Sequence, residues 1–303
     1  GAGDPAGLIC HRSGVLAVAL AGVDEVAFGR SPSGYFRRFP VGRQPTALAV
    51  GADGKTAYVA DTGDDSVSIV AVDSGRRTGV VSLGPRPEPT LAERGERLFH
   101  DAKISHDGWM SCHSCHTDGQ SNGQLSDTLG DGSYGAPKRV PSLLGTGETG
   151  PWSWTGGIDR LEDQVRKSIR NTMRGPAPSD DQVTALTAYL RSLAAPHADA
   201  PARPSDTEAA ARGRDVFRTR MCADCHTPPS YTSAGRYDVG LVDEAGNRKF
   251  NPPSLRGVGG REPLLHDGRA ATLSDVFLKH QHPAGPEFSS EEVTDLVAFL
   301  RSL

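Results

Sequence analysis

The sequence lacks the features that mark membrane-spanning and nucleic-acid-binding proteins. No apolar run approaches the ~20 residues that a transmembrane helix needs, and the mild net charge of −4 gives no sign of nucleic-acid binding. Hydrophobic residues make up only 36% of the chain and aromatic residues 6%, whereas 36 glycines and 22 prolines predict long loops. The length of 303 residues predicts two or three domains. No signal peptide is visible, which predicts a mature or trimmed chain.

Cysteine is also scarce, and four of the five cysteines belong to two C-x-x-C-H patterns. These are Cys112-His113-Ser114-Cys115-His116 and Cys222-Ala223-Asp224-Cys225-His226. The spacing is typical of covalent haem c attachment, because two thiols must reach two vinyl groups on one porphyrin edge while the adjacent imidazole is aimed at the iron. His116 and His226 are therefore the predicted proximal iron ligands. Two haems would also supply much of the core that the apolar side chains do not.

Paired cysteines have three other common uses, namely a zinc site, a redox dithiol and a structural disulfide. A zinc site needs two pairs of thiols in one small module, and these pairs begin at positions 112 and 222. A redox dithiol does not need the histidine that follows each pair. The fifth cysteine, Cys10, precedes His11 as in a single-cysteine haem site, but Gly7 stands where the first thiol would be. We interpret Cys10 as an ordinary strand residue.

The surroundings of the two C-x-x-C-H patterns repeat. The matching segments are Pro141–Gly145 with Pro253–Gly257, Trp154–Gly157 with His266–Arg269, and Ala188–Leu193 with Ala298–Leu303. A duplication on this scale predicts two copies of one small domain. The proline-rich segments 84–89 and 194–206 mark the boundaries, so we predict cytochrome c-like domains at residues 88–197 and 206–303. Helices are expected at 91–100, 180–193, 207–217 and 290–303.

The first 84 residues follow a different pattern. Short runs rich in Val, Ala and Ile alternate with Gly, Asp and Ser, which predicts strands and turns. Gly14 pairs with Gly54 and Val26 with Val67 at an offset of 40 to 41 residues, which is typical of a four-stranded propeller blade. Two blades cannot close a propeller. The remaining blades would then lie outside these residues or come from another chain. The alternative is a small sheet packed on the haem domains.

From about Leu91 to Leu303 the chain resembles the bacterial dihaem cytochrome c peroxidase and MauG superfamily. The resemblance rests on the two haem motifs, on Pro253-Ser254-Leu255-Arg256, and on Leu265-His266-Asp267-Gly268-Arg269 followed by Thr272-Leu273. The segment from Ala57 to Gly63 onward resembles surface-layer-type propeller repeats, which suggests the surface-associated branch of that superfamily. The resemblance implies a mainly α fold of two tandem cytochrome c-like domains after a small all-β segment. It also implies two covalent haem c groups and a calcium ion between the haem domains.

The resemblance also implies where the sixth ligand of the second haem lies. In the family this ligand comes from a helix shortly after the His-Asp-Gly segment and is usually Met, sometimes Tyr. Counting along Leu273–His280 puts His280 at that position, with His282 as the near alternative. Two histidine ligands would make the second haem low-spin and closed to other ligands.

The first haem is expected to be open. The internal repeat aligns Ser168 with His280, and serine is not a useful iron ligand. No histidine lies between His116 and His197, so the distal histidine that family members often supply is missing. The iron is therefore expected to be five-coordinate or water-bound and accessible to peroxide. Met173 is the alternative ligand that would close it.

Three further residues are candidates for the catalytic machinery. Trp154 aligns with the tryptophan that stands between the two haems in the family, which implies electron relay, with packing as the alternative. The distal Glu of the family belongs near residues 171–174, and no carboxylate is there. Because the leaving oxygen of peroxide must be protonated, Asp131 and Glu148 are the remaining candidates for this acid.

These expectations predict an oxidoreductase of the cytochrome c peroxidase or MauG type. Hydrogen peroxide would react at the first haem, and oxidising equivalents would pass through Trp154 to the second. The electron donor would be a small cytochrome, a cupredoxin or a side chain on a partner protein. A non-catalytic dihaem electron carrier is the alternative and would need both irons six-coordinate. Because covalent haem c is assembled outside the cytoplasm, we expect the periplasm or cell surface of a bacterium.

Overall fold

The computed structural model describes residues 1–30, 34–85, 87–129, 132–196, 204–285 and 287–303. The chain divides into two compact units, one of residues 1–115 with 173–186 and the other of residues 116–172 with 187–303. No helix in the described ranges is long and apolar enough to cross a membrane. The predicted domain boundaries stay a prediction, and much of the predicted linker, residues 197–203, lies outside the described residues.

The N-terminal segment forms two four-stranded antiparallel sheets in which each strand pairs with the next along the chain. The first sheet contains β1 (Pro5–Cys10), β2 (Val15–Leu20), β3 (Glu25–Arg30) and β4 (Phe36–Pro40). The second contains β5 (Pro45–Val50), β6 (Thr56–Asp61), β7 (Ser66–Ala71) and β8 (Arg77–Ser82). The predicted all-β segment is confirmed, and each sheet has the strand number and order of one blade.

The two sheets repeat each other because their turns repeat. Gly14 and Gly54 have φ angles of +81° and +67° in the β1–β2 and β5–β6 turns, where glycine carries no steric penalty. Asp24 and Asp65 take the left-handed conformation just before β3 and β7. Alternate side chains along each strand then share a face. The core between the sheets contains Val15, Ala17, Val26, Phe28, Ala57, Val59, Val70 and Val72.

The rest of the chain is helical with long connections. Its helices are α1 (Leu91–Phe99), α2 (Leu161–Lys167), α3 (Asp180–Ser192), α4 (Pro204–Thr219), α5 (Cys222–Cys225), α6 (Leu273–Leu278) and α7 (Ser290–Arg301). Two short antiparallel pairs join β9 (Leu125–Ser126) to β10 (Lys138–Arg139) and β11 (Tyr237–Asp238) to β12 (Lys249–Phe250). Helices α1, α3, α4 and α7 confirm the four helices predicted from the sequence.

Packing of α4 against α7 positions the second C-x-x-C-H pattern. A side chain at Gly213 would place its Cβ 1.9 Å from the carbonyl oxygen of Asp295, so only glycine permits this close approach. The rings of Phe217 and Phe299 pack at 5.3 Å between centroids in the same interface. Because α5 follows α4 after two residues, this interface fixes where Cys222 begins the motif.

Candidate functional site

The second C-x-x-C-H pattern forms a single helical turn. The amide of His226 donates to the carbonyl of Cys222 at 2.9 Å, which closes the turn. Burial raises the pKa of Cys222 to about 11 and also raises that of Cys225. A redox dithiol needs a lowered thiol pKa, so this environment favours covalent attachment over dithiol exchange.

Two backbone carbonyls orient the ring of His226. Its Nδ1 lies 3.1 Å from the carbonyl oxygen of Pro253 and 3.2 Å from that of Tyr231, and both can only accept. Nδ1 therefore carries the proton and donates, which leaves Nε2 deprotonated and available to a metal. Burial also lowers the pKa of His226, which favours the neutral form that ligates iron.

His282 faces His226. The two ring centroids are 6.4 Å apart with an interplanar angle of 72°. A metal–imidazole bond is about 2 Å long, so two such bonds in line would set ring centres roughly 6 Å apart. The Nδ1 of His282 is buried without a hydrogen-bond partner, and burial together with His226 lowers the pKa of His282 to about 4. These residues fit a haem iron held between two neutral imidazoles.

His280, the ligand position expected from the sequence, lies elsewhere. Its Nε2 is 3.1 Å from the carbonyl oxygen of Arg269, to which it donates. Helix α6 ends at Leu278, and Gln281 then takes a left-handed φ of +46°. This turn lets the amide of His282 donate to the carbonyl of Val276 at 3.1 Å, which carries His282 back toward the helix.

The first C-x-x-C-H pattern begins with a comparable turn. The amide of Cys115 donates to the carbonyl of Cys112 at 3.3 Å. The carboxylate of Asp4 accepts hydrogen bonds from the hydroxyls of Ser111 and Ser114, which holds the loop in place. Burial, with a smaller contribution from Cys115 and Asp4, raises the pKa of Cys112 to about 12.

His116 is oriented in the same way as its repeat partner. Its Nδ1 lies 3.0 Å from the carbonyl oxygen of Pro141 and 3.4 Å from that of Gln120. Pro141 is the repeat equivalent of Pro253, so the same backbone acceptor serves both motifs. The Nε2 atom of His116 is again the nitrogen available to iron.

The candidates for the distal side of the first haem offer no histidine. Ser168 follows α2, and its hydroxyl accepts from Nε2 of Gln164 at 3.1 Å. Met173 is 3% exposed, and its carbonyl accepts from the amide of His106 and from Nε1 of Trp109. Asp131 lies outside the described residues. The Glu148 side chain is 77% exposed and 3.4 Å from Arg256, so it lies at the surface as one half of an ion pair.

Trp154 contacts both copies of the repeat. Its Nε1 donates to the carbonyl of Arg139 at 2.8 Å, and its own carbonyl accepts from the amide of Asn251 at 3.0 Å. The amide of Arg139 in turn donates at 2.7 Å to the carbonyl of His266, the repeat equivalent of Trp154. The two repeats are thus joined by reciprocal hydrogen bonds. Sequence reasoning singled out Trp154 but missed Arg139 and Asn251, which precede the repeated prolines by two residues.

A calcium ion stays a prediction. The described residues contain no group of three or more His, Cys, Asp or Glu side chains that could hold a metal ion.

Comparisons with known proteins show which families the chain matches. Residues 89–201 match the di-haem cytochrome c peroxidase family, and residues 210–303 match cytochrome c. The methylamine utilization protein MauG of Methylorubrum extorquens is 28% identical over 288 residues, covering 72% of this chain and 80% of that protein. Cytochrome c551 peroxidase of Nitrosomonas europaea is 26% identical over 271 residues, covering 70% and 79%.

Solved structures share the fold. A structure of hydrazine synthase from Kuenenia stuttgartiensis aligns with a TM-score of 0.64 at 22% identity, covering 75% of this chain and 99% of that chain. The diheme peroxidase of Burkholderia thailandensis aligns with a TM-score of 0.52 at 21% identity, covering 72% and 86%. At these identities the likeness extends to the fold alone.

Proposed function

We propose that this chain, which belongs to the di-haem cytochrome c peroxidase and MauG family of oxidoreductases, reduces hydrogen peroxide at the site built around His116. The chain carries two covalently bound c-type haems. Electrons would pass through the second site, which is built around His226 and His282. Haem iron, when bound, supplies the redox chemistry. The protein attaches it through Cys112 and Cys115 at the first site. Cys222 and Cys225 do the same at the second.

The observation that carries the proposal is a difference between the two repeats. His282 faces His226 at 6.4 Å between ring centroids, so both axial positions of the second site would be filled by this chain. The repeat equivalents of His280 and His282 in the first half are Ser168 and Arg170, which are not iron ligands. We therefore assign electron transfer to the second site and peroxide binding to the first.

Trp154 supports electron passage between the sites. It is hydrogen-bonded to Arg139 in the first repeat and to Asn251 in the second, so it bridges the segments next to both proximal carbonyls. We therefore assign the relay to Trp154. For proton delivery, Asp131 remains the candidate from the sequence, because Glu148 is exposed and paired with Arg256.

The electron donor follows from the same chemistry. A closed second site accepts electrons by outer-sphere transfer, so the donor is a small redox protein such as a cytochrome or cupredoxin, or an oxidisable side chain on a partner. Because c-type haem is attached outside the cytoplasm, we place this reaction in the periplasm or at the cell surface.

The second sheet offers an interaction surface of a defined kind. One face of β5–β8 carries mainly apolar residues, half-buried or exposed: Ala47, Ala49, Tyr58, Ala60, Val67, Ile69, Gly79 and Val81. At an offset of 41 residues, Tyr58, Val67 and Ile69 correspond to Ala17, Val26 and Phe28, which are buried against the second sheet. The equivalent face of the first sheet is thus covered by the second sheet. We propose that a further four-stranded sheet of this repeat, from another chain, covers the exposed face.

Electron paramagnetic resonance of the ferric holoprotein, followed by peroxide addition to the reduced protein, tests the proposed function. We expect one high-spin and one low-spin ferric signal, and oxidation of a reduced small cytochrome that depends on peroxide. Two low-spin signals without peroxide turnover would instead identify a dihaem electron carrier with both irons closed, with Met173 then the ligand to examine.

A further inference from the structure

Two neighbouring guanidinium groups in the second compact unit have no acidic partner among the described residues. Arg139 is 8% exposed, and Arg261 is half-buried. Neither forms an ion pair with a carboxylate in the part of the chain that the structure describes. Burial lowers the pKa of both, and with the added repulsion of Arg139 it lowers that of Arg261 to about 10. Two neighbouring cations, one buried and one half-buried, therefore lack a compensating carboxylate among the described residues.

Backbone carbonyls alone accept from these groups. Arg139 donates through Nη2 to the carbonyl of Arg261 at 2.5 Å, while its Nε is buried without any partner. Arg261 donates to the carbonyl of Ser254 at 2.8 Å and to that of Gly257 at 3.3 Å. An unmade hydrogen bond to a buried donor costs about 1–3 kcal/mol, and more for a charged group. An anion bound beside the two guanidinium groups would supply the missing acceptor and offset their positive charge.

Arg139 belongs to one of the segments that orient the proximal histidines, and Arg261 donates to the other. Arg139 is two residues before Pro141, whose carbonyl oxygen is 3.0 Å from Nδ1 of His116. Ser254, which accepts from Arg261, directly follows Pro253, whose carbonyl oxygen is 3.1 Å from Nδ1 of His226. An anion held by the two arginines would therefore lie close to a haem.

The residue whose carbonyl accepts from the amide of Arg139 is also buried and lacks side-chain hydrogen-bond partners. His266 is 1% exposed, and neither of its ring nitrogens has a hydrogen-bond partner. Its ring stacks on Phe250 with 4.5 Å between centroids, and its carbonyl accepts from the amide of Arg139. A backbone hydrogen bond therefore links Arg139 to a second buried residue whose polar side-chain atoms have no partner among the described residues.

We propose that Arg139 and Arg261 bind the propionate carboxylates of a haem, and that this propionate site raises the reduction potential of that haem. Arginine suits this role because its planar fork donates two parallel hydrogen bonds to one carboxylate. The two positive charges oppose the negative charge of the propionates and disfavour the ferric state relative to the ferrous state. The inference rests on the two c-type haems of the family and not on peroxide reactivity, so either proposal can fail alone.

Spectroelectrochemical titration of the holoprotein measures the reduction potentials of the haems and tests the propionate site. In Arg139→Gln we expect the oxidised-to-reduced ratio of at least one haem, at a fixed solution potential, to rise on the order of tenfold, which is about 59 mV for a one-electron couple. Arg139→Lys keeps the charge and is expected to recover most of the shift. Arg261→Gln provides a second, independent measurement should Arg139→Gln accumulate without haem.

Arg248→Gln is the matched control, because Arg248 is an exposed arginine of the same unit paired with Asp238. Haem content from the pyridine haemochrome spectrum verifies that each variant is loaded before its potentials are compared. The proposed propionate site would be refuted if the Arg139 and Arg261 variants carry two haems and the reduction potentials of these haems match those of the Arg248 control.

Discussion

At the residue scale, a displacement of two positions decides which histidine faces His226. Counting along α6 as a continuing helix selects His280, but the helix ends at Leu278. The left-handed Gln281 then reverses the chain and presents His282 to His226. Neither Lys279 nor Gln281 is a helix terminator such as Gly or Pro, and Pro283 indicates only that the helix ends before it, so the sequence does not specify where the turn falls.

We expect His282→Ala to remove the low-spin ferric signal of the second haem and to open that iron to cyanide or carbon monoxide. His280→Ala is the matched control, because its ring is already occupied by the carbonyl of Arg269 at 3.1 Å. Resonance and absorption spectra of both ferric variants measure the outcome. Loss of the low-spin signal in the His280 variant alone would reverse the assignment of the ligand.

The proximal histidines illustrate what residue patterns can and cannot reveal. Cys-x-x-Cys-His specifies its own chemistry, so His116 and His226 could be predicted without a structure. The carbonyls of Pro141 and Pro253 could not, since a backbone acceptor has no side-chain signature. Their place in a repeated Pro-Ser-Leu segment was the available hint. Arg139 and Arg261 carried no hint, because only burial separates them from the surface arginines.

At the element scale, the propeller-like repeat was readable because its turns and its buried positions recur together. Gly14 and Gly54 mark equivalent turns, and β2 and β6 begin 41 residues apart, at Val15 and Thr56. What the sequence could not specify was which face of each sheet is covered. Strand alternation gives two faces, and only packing decides between them.

We expect the exposed face of the second sheet to drive association between copies of this chain when no other blade is present. Val81→Lys places a charge on that face and should weaken association on the order of tenfold, since burying one such side chain contributes about 1.5 kcal/mol. Sedimentation velocity over a concentration series measures the effect. Val80→Lys is the control, because Val80 is equally exposed on the same strand and lies on the opposite face.

A parent chain that sediments as a monomer at every concentration would contradict this use of the face. Equal effects of the Val80 and Val81 variants would also contradict it, since they would indicate a general effect of added charge on β8.

At the scale of the whole molecule, one duplicated design has been given two different sites. The repeats share the C-x-x-C-H pattern, the proline carbonyl on the proximal histidine and the reciprocal hydrogen bonds through Arg139 and Asn251. They differ where His282 has Arg170 as its counterpart. Family, fold class and haem content followed from the shared features and are confirmed. The histidine that faces His226 could be identified only from the structure, because its position depends on the irregular turn at Gln281.

If each haem is attached and ligated independently of the other, each haem can be removed without the other. We expect the Cys112→Ala, Cys115→Ala double variant to bind half of the parent's haem, to keep the low-spin signal and to lose peroxide turnover. The Cys222→Ala, Cys225→Ala variant should keep the high-spin signal and still bind peroxide. Turnover with an external donor should nevertheless stop, because electrons then lack the His226 and His282 site. Pyridine haemochrome spectra, paramagnetic resonance and peroxide-dependent oxidation of a reduced cytochrome give the three readouts.

Peroxide turnover that survives loss of the first motif would place the reactive iron at His226. The roles proposed for the two sites would then have to be exchanged.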